Sequence, residues 1–301
     1  MAGFLRCARC RVSIWIASLA SALLLFASPA AFADADADAL KATQSVLADQ
    51  LAHNPFQRPL VLASTQSSGD LKGDVHAIVN HPFSSIDAAL KRADNWCDVL
   101  ILHLNVKQCR AGTTTAGSTL AVSIGKKHDQ PLADAYRVDF NYRVVAEAPD
   151  YLQVTLKAAS GPLGTRDYRI TFEAIPLDAT RSFIHMSYSY GYGFAARIAM
   201  QGYLSTIGSG KVGFSVVSHT ADGKPVYVDN VRGVVERNTM RYYLAIDAYL
   251  NSLSAPPGDR VERRLHDWFA ATERYPLQLH EVEQNDYLDM KRKELQRQQP
   301  G

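Results

Sequence analysis

Cysteine is scarce. There are four in 301 residues, and two of them, Cys7 and Cys10, fall in the first ten. That excludes a disulfide-dense scaffold. An excess of charge is also missing, with 32 Lys+Arg against 30 Asp+Glu. A nucleic-acid binder carries a basic excess on one domain, so no nucleic-acid partner is expected. Beyond the first thirty residues no apolar run approaches the roughly 18–20 residues of a spanning helix. There is no Gly-x-Ser-x-Gly and no His-Glu-x-x-His among the nine His, so neither a nucleophile elbow nor a zinc-protease site is written here. Nothing calls for a cofactor or a metal.

What the N-terminus does have is a basic start at Arg6, Arg9 and Arg11, then a mainly apolar stretch from Val12 to Phe26. Pro29 follows, then Ala31-Phe32-Ala33. That is the layout of a secretory signal peptide. Residues 1–33 are therefore expected to be removed near Ala33, leaving a periplasmic or secreted protein that is close to neutral. Cys97 and Cys109 remain, and an exported pair is expected to form a single disulfide.

The rest divides into a lead-in over 34–69, a main domain over 70–254 and a helical extension over 255–301. The repeated Asp-Ala of 34–39 reads as low-complexity and disordered. Leu40–Leu51 reads as a short helix, and the Pro55, Pro59 and Ser64–Gly69 region as loop. A strand is expected over Gly73–His81. Ile86, Ala89, Leu90, Ala93, Cys97, Leu100, Ile101 and Leu104 then follow helical spacing, with Asn95 and Asp98 as the breaks. Period-two alternation marks strands at Thr119–Gly125, Asp134–Glu147, Tyr151–Ala158, Arg166–Ile175 and Arg181–Tyr192, joined by short turns: an antiparallel meander. Phe194–Ile207 returns to helical spacing. Lys211–His219 and Lys224–Val231 frame a hairpin. A long helix follows over Val234–Leu253, ended by Ala255-Pro256-Pro257-Gly258. Another amphipathic helix, Asp259–Thr272, turns Trp268 and Phe269 inward, and a polar helical tail with Lys291-Arg292-Lys293 closes the chain.

Strand, helix pair, long meander, long C-terminal helix: this order resembles the START-like helix-grip superfamily, also called polyketide-cyclase or Bet v 1-like. The entry carries the likeness best, with Val75–Asn80 leading through Pro82-Phe83-Ser84-Ser85-Ile86 to Trp96. The resemblance runs from about Gly73 to Leu253 and departs at 194–210 and after Pro256. It implies an α+β fold in which a curved antiparallel sheet grips the long helix, with appended C-terminal helices. It also implies an apolar ligand held between sheet and helix.

Two tyrosine rows suit such a wall, because tyrosine joins an apolar ring to a polar tip. One is Tyr188, Tyr190 and Tyr192 on a strand. The other is Tyr242, Ile246 and Tyr249 on the long helix. Cross-strand stacking and plain core packing account for the same pattern. The expected role is a binding protein for a hydrophobic small molecule or lipid, with transient membrane contact as a further option. The alternatives are a cyclase or hydrolase using the same cavity, or an envelope module whose helices bind a protein partner through Trp268 and Phe269. Glu236, Arg237, Arg241 and Asp247 read as an outer face, solvated or paired. Gly208–Gly213 fits a dinucleotide glycine pattern without its strand and helix, and Ser123-Ile124-Gly125-Lys126 lacks the companion elements of a penicillin-binding enzyme.

Overall fold

A computed structural model describes residues 29–204 and 210–298; the expected signal peptide before Pro29, and the end of the helix expected over 194–207, lie outside them. The core is one eight-stranded antiparallel sheet, ordered β1-β2-β8-β7-β6-β5-β4-β3. Its strands are β1 Leu60–Gln66, β2 Asp70–Val79, β3 Val106–Thr114, β4 Gly117–Ile124, β5 Tyr136–Ala148, β6 Tyr151–Ser160, β7 Thr165–Pro176 and β8 Ser182–Tyr192. β2 pairs with the last strand of the meander, β8, from Asp70↔Gly191 to Val79↔Ser182.

The connection from β2 to β3 carries α3 Phe83–Leu90 and α4 Ala93–Leu100. Expected as one periodic stretch broken at Asn95 and Asp98, it breaks at Lys91–Arg92 instead. The reason is capping: the Asn95 amide and the Trp96 indole N–H donate to the carbonyls of Ala89 and Leu90, which end α3. Cys97 on α4 is disulfide-bonded to Cys109 on β3, with Cα atoms 5.1 Å apart. Closing so short a loop is worth about 3 kcal/mol by the chain-entropy estimate.

The long helix, α6 Asn230–Ser252, lies against β1, β2 and β8. Val75, Ala77 and Val79 meet it from the sheet, and Val235, Tyr243, Leu244 and Ile246 answer them, all with at most 3% exposure. Gly73 permits the close crossing, since a Cβ there would overlap the Thr239 side chain. Around α6 lie α5 Phe194–Leu204, the small hairpin β9 Val216–His219 with β10 Pro225–Tyr227, and the appended helices α7 Arg260–Thr272, α8 Pro276–Leu279 and α9 Gln284–Gln298. Trp268 and Phe269 pack on Tyr287 of α9 at 5.0 and 5.6 Å, so they form core and not a surface patch.

Three expectations change. The Asp-Ala stretch is not a disordered lead-in but part of a helix, α1 Pro29–Val46. Its alternation spaces Ala33, Ala37 and Leu40 along one helical face, where they pack on Tyr151, Ile175 and Phe183 behind the sheet. The region read as loop after Pro59 contains β1, an edge strand that begins directly after that proline. Finally, α6 has no solvated charged face over Glu236–Arg241. Glu236, Arg237 and Arg241 are 0%, 1% and 2% exposed, because surrounding elements enclose the helix.

The tail is likewise inside. Lys107 of β3 and Lys291 of α9 are both 0% exposed and share Glu294, at 3.0 and 2.7 Å. Carbonyls of Leu104, His128, His103 and Val106 take their remaining protons. Beside this bolt, the Gln298 side chain accepts the Cys109 N–H at 2.6 Å on the outer edge of β3, which shields that edge from further pairing. Glu294→Ala would leave two buried ammonium groups without a counter-charge and should destabilise the protein by about 3–5 kcal/mol. Urea unfolding measures it; a loss below about 1 kcal/mol would mean that α9 is only loosely attached.

Candidate functional site between sheet and helix

Side chains alternate between the two faces of the sheet, and on one face three strands carry aromatics: Phe140 on β5, Tyr168 on β7, Tyr188 and Tyr190 on β8. Tyr242 answers from α6. The rings make a continuous path. Phe140 meets Tyr168 at 6.4 Å, Tyr168 stacks on Tyr190 at 5.3 Å, Tyr190 meets Tyr188 at 5.5 Å, and Tyr188 meets Tyr242 at 5.1 Å. His103, from the turn after α4, stacks on Tyr242 at 4.9 Å and ends the path.

The hydroxyls differ. Tyr168 is bonded to Thr165 at 2.8 Å, and Tyr190 points at Met200 Sδ of α5 at 3.9 Å. Tyr188 and Tyr242 have no hydrogen-bond partner among the described residues. Both rings lie in the middle of the fold, yet Tyr242 and Tyr168 are only half-buried. Burial pushes the Tyr188 and Tyr242 hydroxyls far above the ordinary phenol range, so both stay protonated donors.

Of the six residues expected to line a cavity, the structure brings Tyr188, Tyr190 and Tyr242 together. Tyr192 is at the sheet's end, 3.4 Å from the Gln66 amide. Ile246 is 1% exposed within the core. Tyr249 faces another way: Arg264 lies over its ring at 4.5 Å, and it borders an open groove of about 730 Å³ between α3 and the C-terminal half of α6. Tyr168 and His103 were missed as site residues. Tyr168 was visible in the β7 alternation, but nothing in the sequence pairs His103 with Tyr242.

Next to His103 lies a buried charged group. Arg241 reaches Glu281 at 2.8 Å, and Lys127 reaches the same carboxylate at 2.6 Å. Arg237 donates to the Val212 carbonyl at 3.1 Å. Burial and then the Arg241 charge bring Lys127 down to about 8. Burial opposes ionisation of Glu281, but Arg241 and Lys127 outweigh it and hold its pKa below the usual range. Among the described residues no group of three His, Cys, Asp or Glu is arranged to hold a metal ion, and no helix is long and apolar enough to cross a membrane.

No family model and no curated protein matches the chain. Solved structures do resemble it. A truncated norcoclaurine synthase from Thalictrum flavum is 14% identical over 48% of this chain and 84% of that one, with a TM-score of 0.31. The human StarD13 lipid transfer and protein localization domain is 8% identical over 54% and 88%, at 0.28. A conserved protein of unknown function from Enterococcus faecalis is 9% identical over 78% and 89%, at 0.30. The neighbours are Bet v 1-like and START-domain folds. Overlays this loose say nothing about ligand or chemistry. The helix-grip architecture rests on the sheet order, with β2 closing on β8 around α6.

A second titratable cluster occupies the opposite face of the sheet. His185 on β8 bridges Asp74 at 2.9 Å and Glu173 at 2.7 Å, and His76 stacks on it at 4.3 Å. Tyr151 and Gln153 also donate to Glu173, and Lys72 pairs with Asp74. Burial disfavours a charge on His185, but the two carboxylates outweigh it and raise its pKa to about 9. Burial, with the His185 charge, pushes His76 down to about 4. With both carboxylates and both His185 nitrogens engaged, this is a cross-strand tie. Because the folded pKa of His185 is above its ordinary 6.5, its stabilisation is complete below about pH 6.5 and is lost between there and about 9. His185→Gln should therefore cost about 1–3 kcal/mol at pH 6 and much less at pH 9.5. Urea unfolding at both pH values tests this; a difference that does not change would contradict it.

Proposed function

We propose that the chain is an exported binding protein for a hydrophobic small molecule or lipid, held between the sheet and α6. One observation carries this reading: the Tyr188 and Tyr242 rings meet at 5.1 Å along a wall of aromatic side chains, and neither hydroxyl has a hydrogen-bond partner among the described residues. Buried hydroxyls in a finished core have partners. Donors left open in an apolar surround suit a pocket that orients a ligand by few polar contacts. α5, which meets this wall through Met200, exposes Phe194 and Ile198 one turn apart, and Leu163 is exposed on the turn that α5 touches. That apolar rim supports transient membrane contact during ligand exchange.

The enzyme alternative would use His103, which is buried with a pKa pushed well below 6.5 by burial and by Arg241. Its Nδ1 accepts the Asn105 N–H at 3.2 Å, which places the ring proton on Nε2. In that tautomer the nitrogen left open is a donor and not a base, so binding is the better-supported reading.

Export is supported by the disulfide and by the start of α1. Removal after Ala33 would place Asp34, Asp36 and Asp38 in the first turns of the shortened helix, where carboxylates favour the positive end of the dipole. N-terminal sequencing of protein from the periplasm or medium should begin at Asp34; a chain that retains Arg6–Arg11 would contradict export.

The double variant Tyr188→Phe with Tyr242→Phe tests the site. Because these hydroxyls bond to no protein group, the melting temperature should move by no more than about 2 °C. Retention of a fluorescent lipid should fall about fivefold or more. Unchanged retention would remove these tyrosines from the site.

A further inference from the structure

The tyrosine path ends at His103, and its surroundings are one-sided in charge. Arg237 and Arg241 follow one another by one turn of α6, both buried. Lys127 joins them through Glu281, and Lys211 donates to the His280 carbonyl next to that carboxylate. No Asp or Glu occurs between Asp178 and Asp222, so α5 and the segment leading to Gly213 bring no negative charge to this end.

Two donors here are buried and unpartnered. One is Nε–H of Arg241, whose terminal nitrogens are engaged with Glu281, the Leu279 carbonyl and Asn238. The other is Nε2–H of His103. The Asn238 side chain lies beside the imidazole and favours its protonated form, but its amide oxygen also accepts from Arg241 at 3.4 Å and does not meet Nε2 in hydrogen-bond geometry. Leaving such donors unsatisfied in the interior is costly. An oxyanion within reach of both would satisfy them and answer the local excess of positive charge.

We propose that this end of the site receives an acidic head group: the ligand is an amphipath with a carboxylate or phosphate head accepting from His103 Nε2 and Arg241 Nε and, through its remaining lone pairs, from the Tyr242 and Tyr188 hydroxyls, and an apolar tail along the ring faces of Tyr190 and Tyr168. This rests on the binding reading above and adds the ligand's chemical class. A neutral lipid would leave the two donors open; a cationic one would meet Arg237, Arg241 and Lys127 directly.

The test uses the mature protein with its disulfide intact and three probes of matched chain length. These are cis-parinaric acid, its methyl ester, and a lysophosphatidate used as competitor. Parinaric acid should bind at least about tenfold more tightly than the ester. That preference should collapse in His103→Phe, which keeps the stack on Tyr242, and in Arg241→Lys, which keeps a cation for Glu281 while removing Nε–H. Ester binding, which engages neither donor as an anion does, should fall far less than acid binding in both variants. Stronger competition by lysophosphatidate than by a fatty acid assigns the head as phosphate, and weaker competition as carboxylate; either supports the site. Equal binding of acid and ester by the unmutated protein overturns the head-group site and leaves the binding function standing. Binding of neither probe overturns both. The acid-to-ester comparison in the unmutated protein does not depend on either variant folding.

Discussion

A helix enclosed by protein yet carrying charged side chains is the constraint on which this molecule turns. α6 is wrapped by the sheet, by α7 and α8 and by the segment around Gly213, and three of its buried residues are Glu236, Arg237 and Arg241. A buried charge without partners costs several kcal/mol, so each has been given them. Glu236 accepts from the Phe214 and Ser215 amides at 2.6 and 2.9 Å and from the Ser64 and Ser215 hydroxyls. Arg241 is held by Glu281, beyond α8. The segments that depart from a plain helix-grip plan are thus the ones that neutralise its gripping helix. Lys107, Lys291 and Glu294 repeat that logic where α9 meets the sheet.

How much of this was legible depends on how local the signal is. The meander from β5 to β8 could be read because alternation is a short-range property, and Tyr136–Ala148 and Ser182–Tyr192 follow it to their ends. The disulfide followed from compartment and count. β3 was missed: Val106–Thr114 carries Lys107 and Arg110 among small and polar residues, and Lys107 is buried only because Glu294 waits 187 positions later. Arg237 and Arg241 were read as outer residues for the same reason. A single sequence shows a charge but not the carboxylate or carbonyl that will meet it. The Asp-Ala repeat was judged by composition, although its alanine spacing already permitted a packed helical face.

The candidate site shows the same division. Tyr188, Tyr190 and Tyr242 could be chosen from their rows, since a strand and a helix each expose their period. Tyr192, Ile246 and Tyr249 belonged to those rows but lie elsewhere, because the sheet curves away from α6 and the C-terminal half of the helix turns toward α3 and α7. His103 comes from a turn without periodicity, and only the packing of α6 brings it onto Tyr242.

The account stands or falls on whether a molecule binds along the wall that Tyr188 and Tyr242 help to form. Native mass spectrometry of the protein, released from the cell envelope without detergent or organic solvent, measures this directly. The account predicts a species heavier than the polypeptide by one amphipathic molecule. The added mass should be removed by organic extraction and restored on incubation with the extract. A single polypeptide mass, unchanged by extraction and by exposure to lipid extract, would contradict it and reduce the tyrosine wall to ordinary core.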